Sequence, residues 1–224
     1  MLKQSVKHLF NTLASRFGPH TKHSHEGRLW ILMYHRILPK DVAKKFNEEP
    51  GMYVTPETFK NHLVWLNEFM KPIKLEDWIS NKNQSKTLSG NFYAITFDDG
   101  WQDNYQYAYP VLKELRIPAT IFIVSSLMGT NKIFWPNRLA RLIPYISNQE
   151  YQFDNLNVLR QKLSLDTGSD YSDVSAIIAN AKQYQDIEIS NWLDHVEKEL
   201  NINNNSSQLL NWQEIEEMIN SGLI

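Results

Sequence analysis

Two adjacent carboxylates, Asp98 and Asp99, follow the apolar run "FYAITF" and precede Gly100. Like charges this close repel each other, so a chain that keeps them adjacent needs a structural or chemical reason. Three explanations compete. The pair could form a hairpin turn, cap a helix, or begin a site that binds a metal ion and activates water.

The two structural explanations each leave something unexplained. Asp-Gly is a strong signal for a two-residue hairpin turn, but the following "WQDNYQYAYP" lacks the alternation of a partner strand. A helix cap needs only one carboxylate, and Asp103 is better placed to cap the helix that follows. A divalent cation would offset the repulsion, with one carboxylate holding the ion and the other accepting a proton from water. The pattern therefore favours the metal site.

The segments around the carboxylate pair predict a parallel sheet. Apolar runs at 28–35 ("RLWILMYH"), 92–97 ("FYAITF") and 118–124 ("PATIFIV") are typical of buried strands. Helical patterns separate them: "TPETFKNHLVWLNEFM", with Thr55 as N-cap, and "YPVLKELR", with Pro110 near its start. Ligands bind at the carboxyl ends of such strands, where Asp98, Asp99 and also His35 are expected.

The second half of the chain is predicted to be mainly helical. Residues from about 131 to 210 contain "WPNRLARLIPYI", "SDVSAIIANAKQ" and "ISNWLDHVEKEL", which we interpret as a helical insertion between two sheet strands. A last helix is predicted in "NWQEIEEMINSGLI", where Asn211 and Glu214 can form a capping box. Its inward residues would be Trp212, Ile215 and either Met218 or Ile219. The prediction thus divides the chain into 1–27, an amphipathic helix and polar arm, and 28–224.

Composition excludes several classes of protein. The 23 basic and 25 acidic residues give a net charge of -2, which argues against a nucleic-acid partner. The absence of cysteine excludes disulfides and thiolate metal sites. No apolar run reaches the roughly 18 residues of a membrane span, and no signal peptide is evident. Residues 2–17 form a basic amphipathic stripe that favours packing on its own domain and permits membrane-surface contact, so a cytoplasmic or membrane-peripheral location is predicted.

The segment "ITFDDGWQDNYQYAYPVLKELRIPATIFI" closely resembles the first motif region of the polysaccharide deacetylases, the NodB-homology group of carbohydrate esterases. The opening "ILMYHRI" and the closing "NWQEIEEMINSGLI" are also similar to segments of that family, so the resemblance covers roughly residues 28–130 and 209–224. It implies a distorted parallel (β/α) barrel. The implied reaction removes an acetyl group from an N-acetylated sugar or polysaccharide.

The resemblance also implies roles for individual residues. Asp98 would be the general base, and Asp99 would bind a divalent metal ion, usually zinc, that polarises the amide carbonyl. His35 and Trp135 are candidates for substrate contact, although a strand-end histidine and a core tryptophan explain them nearly as well. The family completes its metal site with two histidines one helical turn apart, in a motif that would follow Ile224. The resemblance therefore implies an incomplete barrel, the N-terminal part of a longer deacetylase.

Two other functions compete with this interpretation. One is a non-catalytic carbohydrate- or partner-binding relic that keeps the two aspartates and lacks the histidines. The other is a magnesium-dependent phosphate enzyme, which is less favoured because no glycine-rich loop precedes a helix.

Overall fold

The centre of the molecule is a four-stranded parallel sheet, seen in a computed structural model that describes residues 18, 21–22, 25–84, 88–165, 173–202 and 208–224. Its strands are β1 (Arg28–Tyr34), β4 (Lys71–Pro72), β5 (Asn91–Phe97) and β6 (Ala119–Ile121). A separate two-stranded sheet pairs β2 (Arg36–Ile37) with β3 (Tyr53–Val54). The described helices are α1 (Lys40–Lys45), α2 (Pro56–Phe69), α3 (Leu75–Asn83), α4 (Tyr109–Leu115), α5 (Trp135–Ser147), α6 (Asp154–Lys162), α7 (Val174–Ala181), α8 (Asp186–Glu199) and α9 (Trp212–Asn220), with a π-helical turn at Asn104–Ala108 before α4.

Strand β5 organises the main sheet because every other strand of that sheet pairs with it. β1 runs along its whole length in a register that sets Tyr34 opposite Phe97. On the other side, β4 pairs with the beginning of β5 and β6 pairs with its end. The carboxyl ends of β1, β5 and β6 therefore lie along one edge of the sheet, as the sequence predicted.

Helix α2 shows how local sequence produces this arrangement. The Thr55 hydroxyl accepts a hydrogen bond from the Thr58 N–H at 3.1 Å, and Pro56 follows at the first helical position. The apolar stripe of α2 and part of α4 pack on one face of the sheet. The buried residues of this core are Tyr34, Ile37, Phe59, Leu63, Leu66, Met70, Tyr93, Ile95, Phe97, Ala108, Leu112, Ile117 and Ala119.

Part of the opposite face of the sheet is apolar and exposed among the described residues. Ile31 is 54% exposed, Met33 62% and Phe122 52%. The prediction of strands at 28–35 and 118–124 is thus confirmed, but the prediction that they are buried is wrong for this face. β6 also ends at Ile121, three residues earlier than the pattern indicated.

The α/β class and the parallel strand arrangement are confirmed. The described strands form an open sheet, so the closed barrel stays a prediction, as does the division of the chain at residue 27. The amphipathic stripe at residues 2–17 lies outside the described residues. Within the described part of the chain, no helix is long and apolar enough to cross a bilayer.

Helices α5 to α8 form the predicted helical region and have a core of their own. Sixteen buried apolar residues between Leu139 and Val196 contact one another there. Helix α6 was not predicted, because it is a polar segment whose core contacts come from Leu156 and Leu159. Its Arg160 is also buried, although no sequence pattern predicts a buried charge at this position.

Helix α9 begins with the predicted capping box. The Asn211 side chain accepts from the Glu214 N–H at 2.9 Å, and the Glu214 carboxylate accepts from the Asn211 N–H at 3.0 Å. The predicted inward face is partly wrong. Met218 is buried, but Trp212 is 55% exposed, because α9 contacts its neighbours through a narrower stripe than the sequence pattern indicated.

Candidate functional site

The carboxyl edge of the sheet brings His35 and Asp98 together. The register of β1 and β5 continues one residue beyond the strands, where the Asp98 N–H donates to the Tyr34 carbonyl at 2.9 Å. His35 Nε2 lies 3.9 Å from Asp98 Oδ2, and both side chains are partly exposed. This distance is longer than a hydrogen bond but short enough for electrostatic attraction when the imidazole is protonated.

The next two residues form a tight turn, here called the site turn (Asp98–Trp101). Asp99 and Gly100 both have φ of 72°, in the left-handed region. A Cβ at Gly100 would lie 3.0 Å from Ile123 Cγ2, so only glycine fits there without movement of a neighbour. Two positive φ values in sequence are typical of a hairpin turn, but no hairpin follows. Trp101 instead forms an isolated antiparallel bridge with Leu209.

Asp99 is oriented by the residue that ends this turn. The indole Nε1–H of Trp101 donates to Asp99 Oδ2 at 3.2 Å, and the Trp101 side chain is fully buried. A non-glycine residue in the left-handed region costs about 1–3 kcal/mol, which the surrounding contacts must offset. Backbone strain of this kind is common at functional sites.

A buried charge cluster of Arg36, Glu48 and Asp103 packs against the site turn through Trp101. The Arg36 guanidinium lies 3.9 Å from the centre of the Trp101 ring and donates to Asp103 at 2.9 Å and to Glu48. The Ile37 N–H donates to Asp103 Oδ1 at 2.7 Å. Burial raises the pKa of Asp103 to about 6, although Arg36 and the Ile37 amide both act to lower it.

This cluster corrects the sequence-based prediction for Asp103. The carboxylate does not cap the helical turn that follows it, because both of its oxygens accept hydrogen bonds from β2. Arg36 and Glu48 were missed altogether. Their types carry no signal in the local sequence, since Arg36 and Asp103 are 67 residues apart and meet only through the pairing of β1 with β5.

Asp99 and Trp135 line the same pocket, which has a volume of about 310 Å³ and is here called the insertion pocket. Its lining residues are Glu48, Glu49, Met52, Asp99, Trp101, Phe134, Trp135, Pro136, Asn137, Ala140, Ile178, Lys182 and Asp186. Two contacts join its walls: the Phe134 and Trp101 rings lie 5.3 Å apart, and Asn137 Nδ2 donates to Glu48 at 3.2 Å. The lining found among the described residues includes neither Asp98 nor His35.

Comparison with known proteins finds relatives of the segment that contains the aspartate pair. Residues 85–161, which include Asp98, Asp99 and Trp135, match the sequence model of the polysaccharide deacetylase family. This segment is thus similar to the polysaccharide deacetylases. The Bacillus subtilis protein YxkH, named for the same family, is 30% identical over 133 residues, which are 58% of this chain and 44% of its own.

The name of another relative specifies a substrate. The poly-β-1,6-N-acetyl-D-glucosamine N-deacetylase of Staphylococcus epidermidis is 31% identical over 144 residues, covering 61% of this chain and 49% of the relative. The chain thus spans about half the length of the relatives it matches. Among solved structures, a de-N-acetylase from Aggregatibacter actinomycetemcomitans is 26% identical with a TM-score of 0.40, over 46% of this chain and 39% of that one.

The described residues offer an incomplete set of metal ligands. A tight zinc site uses at least three protein ligands. Among the described residues, no group of three histidine, aspartate or glutamate side chains is arranged to hold a metal ion. Asp99 can supply one carboxylate, so these residues alone do not fit a zinc site, and its role as a ligand requires donors from outside them.

Proposed function

We propose that this chain carries the catalytic base of a hydrolase that removes N-acetyl groups from a hexosamine-containing polysaccharide. The observation that carries the proposal is the placement of Asp98 and Asp99 at the carboxyl end of β5, within the segment that matches the polysaccharide deacetylases. The proposed substrate class is taken from the name of the relative from Staphylococcus epidermidis, a poly-β-1,6-N-acetyl-D-glucosamine N-deacetylase.

In this proposal the two aspartates have separate tasks. Asp98 accepts a proton from the water that attacks the amide carbonyl, and the nearby His35 orients that carboxylate or contacts the sugar. Asp99 would be one ligand of a divalent cation, for which zinc is the expected metal, and Trp101 holds its carboxylate in place. Trp135 contacts the substrate from the insertion side.

The test is acetate release from a β-1,6-linked N-acetylglucosamine oligomer by the full-length protein, which has to supply the metal donors that the described residues lack. We expect Asp98→Asn to lower the rate by about 10²–10⁴-fold, the usual contribution of a general base. Asp173→Asn is the matched control, because Asp173 only caps α7, far along the chain from the site turn, and asparagine caps equally well. An Asp98→Asn variant that keeps the wild-type rate would exclude Asp98 as the base.

The metal is tested separately by titrating zinc chloride, in a calorimeter, into the full-length protein, which has to supply the donors that the described residues lack. We expect Asp99→Asn to weaken zinc binding, whereas the control variant Asp173→Asn should bind zinc as the wild type does. Unchanged zinc affinity in Asp99→Asn would show that this carboxylate is not a ligand.

The alternative function is a non-catalytic carbohydrate-binding protein of the same fold. It predicts that the full-length wild-type protein binds the oligomer but releases no acetate at any zinc concentration. Measuring binding and acetate release on the same sample distinguishes the two functions.

A further inference from the structure

We propose that Asn104 is a positioning residue for His35, whose main-chain carbonyl it holds so that the imidazole stays next to Asp98. The Asn104 Nδ2 donates to the His35 carbonyl oxygen at 2.9 Å, and Asn104 is 1% exposed. This inference rests on the proposed function, in which His35 acts beside the general base. It adds a buried residue that affects the reaction only through His35.

Hydrogen bonds of Asn104 join three parts of the chain that meet near the site. Its N–H donates to the Trp101 carbonyl at 3.0 Å, at the end of the site turn, and its carbonyl accepts from the Tyr109 N–H at the start of α4. Its side chain contacts the end of β1 through His35. Asn104 is also the first residue of the π-helical turn, a rare conformation that is frequent at functional sites. Because its backbone is held on both sides, Asn104 offers the His35 carbonyl a fixed donor.

The corner between β1 and β2 is anchored on both sides of His35. Before it, the Tyr34 carbonyl accepts a hydrogen bond from the Asp98 N–H at 2.9 Å. After it, the Ile37 N–H donates to Asp103 Oδ1 at 2.7 Å. The asparagine amide holds the peptide group between these two anchors, and the conformation of that backbone sets the direction of the His35 side chain. The imidazole Nε2 then lies 3.9 Å from Asp98 Oδ2.

The surroundings of the Asn104 side chain require a hydrogen-bond donor at this position. Its Nδ2 lies between two acceptors, the His35 carbonyl oxygen at 2.9 Å and Asp103 Oδ1 at 3.5 Å, so the nitrogen end of the amide faces them. The Asn104 Oδ1 is buried and has no hydrogen-bond partner among the described residues. Burying an unpartnered acceptor opposes folding, so the stability that this side chain adds does not explain its presence. Holding His35 in place does.

The first experiment follows the His35 imidazole by NMR in the full-length protein, with His35→Ala to identify its signals. We expect Asn104→Ala to shift these signals, because the ring moves relative to the Asp98 carboxylate. Asn104→Asp keeps the size of the side chain but cannot donate when ionised, so it should shift them as well. His35 signals that stay unchanged in a folded Asn104 variant would refute the proposal, whatever the activity of the protein.

Asn91→Ala is the matched control. Asn91 is also a buried asparagine whose Nδ2 donates to a main-chain carbonyl, that of Lys22 at 2.8 Å, but it lies at the opposite end of β5. This variant should leave the His35 signals in place, and circular dichroism verifies that each variant is folded. Equal shifts in Asn91→Ala and Asn104→Ala would also refute a specific effect of Asn104 on His35.

A double-mutant cycle on acetate release separates positioning from stability. We expect Asn104→Ala to lower the rate about tenfold when His35 is present, within the range of coupling between contacting residues, and to have no further effect in His35→Ala. The main-chain carbonyl is retained in His35→Ala, so the loss of thermal stability caused by Asn104→Ala should be equal in both backgrounds. An equal fall of the rate in both backgrounds would refute the positioning role. No acetate release by the wild type would refute the proposed function instead, and the NMR comparison would still decide whether Asn104 positions His35.

Discussion

Two buried arginines, one in each half of the molecule, illustrate different uses of the same side chain. In the sheet region, Arg36 is 4% exposed and pairs with the carboxylates of Asp103 and Glu48 while stacking on Trp101. In the helical insertion, Arg160 is 6% exposed and pairs with no carboxylate among the described residues. Its neutral hydrogen-bond acceptors are the main-chain carbonyls of Tyr145, Ile146, Asn148 and Tyr151 and the side-chain oxygen of Asn157.

The difference follows from what each arginine has to satisfy. Arg160 sits where helix α5 ends, and the last carbonyls of a helix lack partners within the helix and carry partial negative charge. Arg36 compensates the two negative charges of Glu48 and Asp103 next to the site turn. It also packs on Trp101, which in turn donates a hydrogen bond to Asp99. Arg160 therefore satisfies the end of a helix, whereas Arg36 both stabilises the fold and supports the candidate site.

The largest effect is expected from Arg36→Met. The substitution leaves Glu48 and Asp103 buried without a cation, which typically costs about 3–5 kcal/mol of unfolding free energy. Urea denaturation followed by circular dichroism measures this loss.

A second variant shows whether uncompensated charge is the cause. Adding Glu48→Gln and Asp103→Asn to Arg36→Met removes both anions, and we expect the triple variant to recover a large part of the lost stability. A triple variant that is less stable than Arg36→Met would contradict this explanation and would point to lost packing on Trp101.

Arg160→Met is expected to cost about 1–3 kcal/mol, the penalty for leaving buried carbonyls without a donor. Because the insertion has its own core, the effect should be local. Hydrogen exchange should accelerate in α5 and α6 and stay unchanged in β5.

The control for Arg160→Met is Lys162→Met, on the same helix with an exposed side chain. It should leave exchange in α5 unchanged. If Arg160→Met accelerates hydrogen exchange in β5 as much as in α5, the sheet and the helical insertion unfold together. The effect of Arg160 would then not be local to the insertion.

Trp101→Phe should have a smaller effect on stability. Phenylalanine keeps a ring beneath Arg36 but cannot donate to Asp99, and one hydrogen bond contributes about 0.5–1.5 kcal/mol. Under the proposed function we expect acetate release to fall about tenfold, because Asp99 loses the donor that orients it. A variant with reduced stability and an unchanged rate would restrict Trp101 to a structural role.

Sequence alone predicted the features whose signals are local. Strand β5, the Thr55 cap and the Asn211–Glu214 capping box each depend on residues within a few positions of one another, and all are confirmed. The placement of Asp98 at the carboxyl end of a buried strand was predicted in the same way.

The features that the sequence missed depend on contacts between distant residues. The Arg36–Asp103 pair requires the register of β1 with β5, and the insertion pocket requires helix α5 to dock beside the site turn. Nothing in the sequence around Arg160 indicates that its guanidinium donates to carbonyls at the end of α5. Neither composition nor periodicity carries this information, because both describe an element and not its neighbours.

The smallest effect is expected from Lys60→Met, which breaks an ion pair between α2 and α4. Lys60 Nζ lies 2.6 Å from Glu114 Oε1, closer than Arg36 lies to Asp103, but the two side chains are 43% and 57% exposed. Water solvates both groups when the pair is broken, so the change in unfolding free energy should stay within about 0.2–1 kcal/mol. Denaturation at low and high salt measures it. If Lys60→Met cost as much as Arg36→Met, desolvation could not explain why the buried arginine matters.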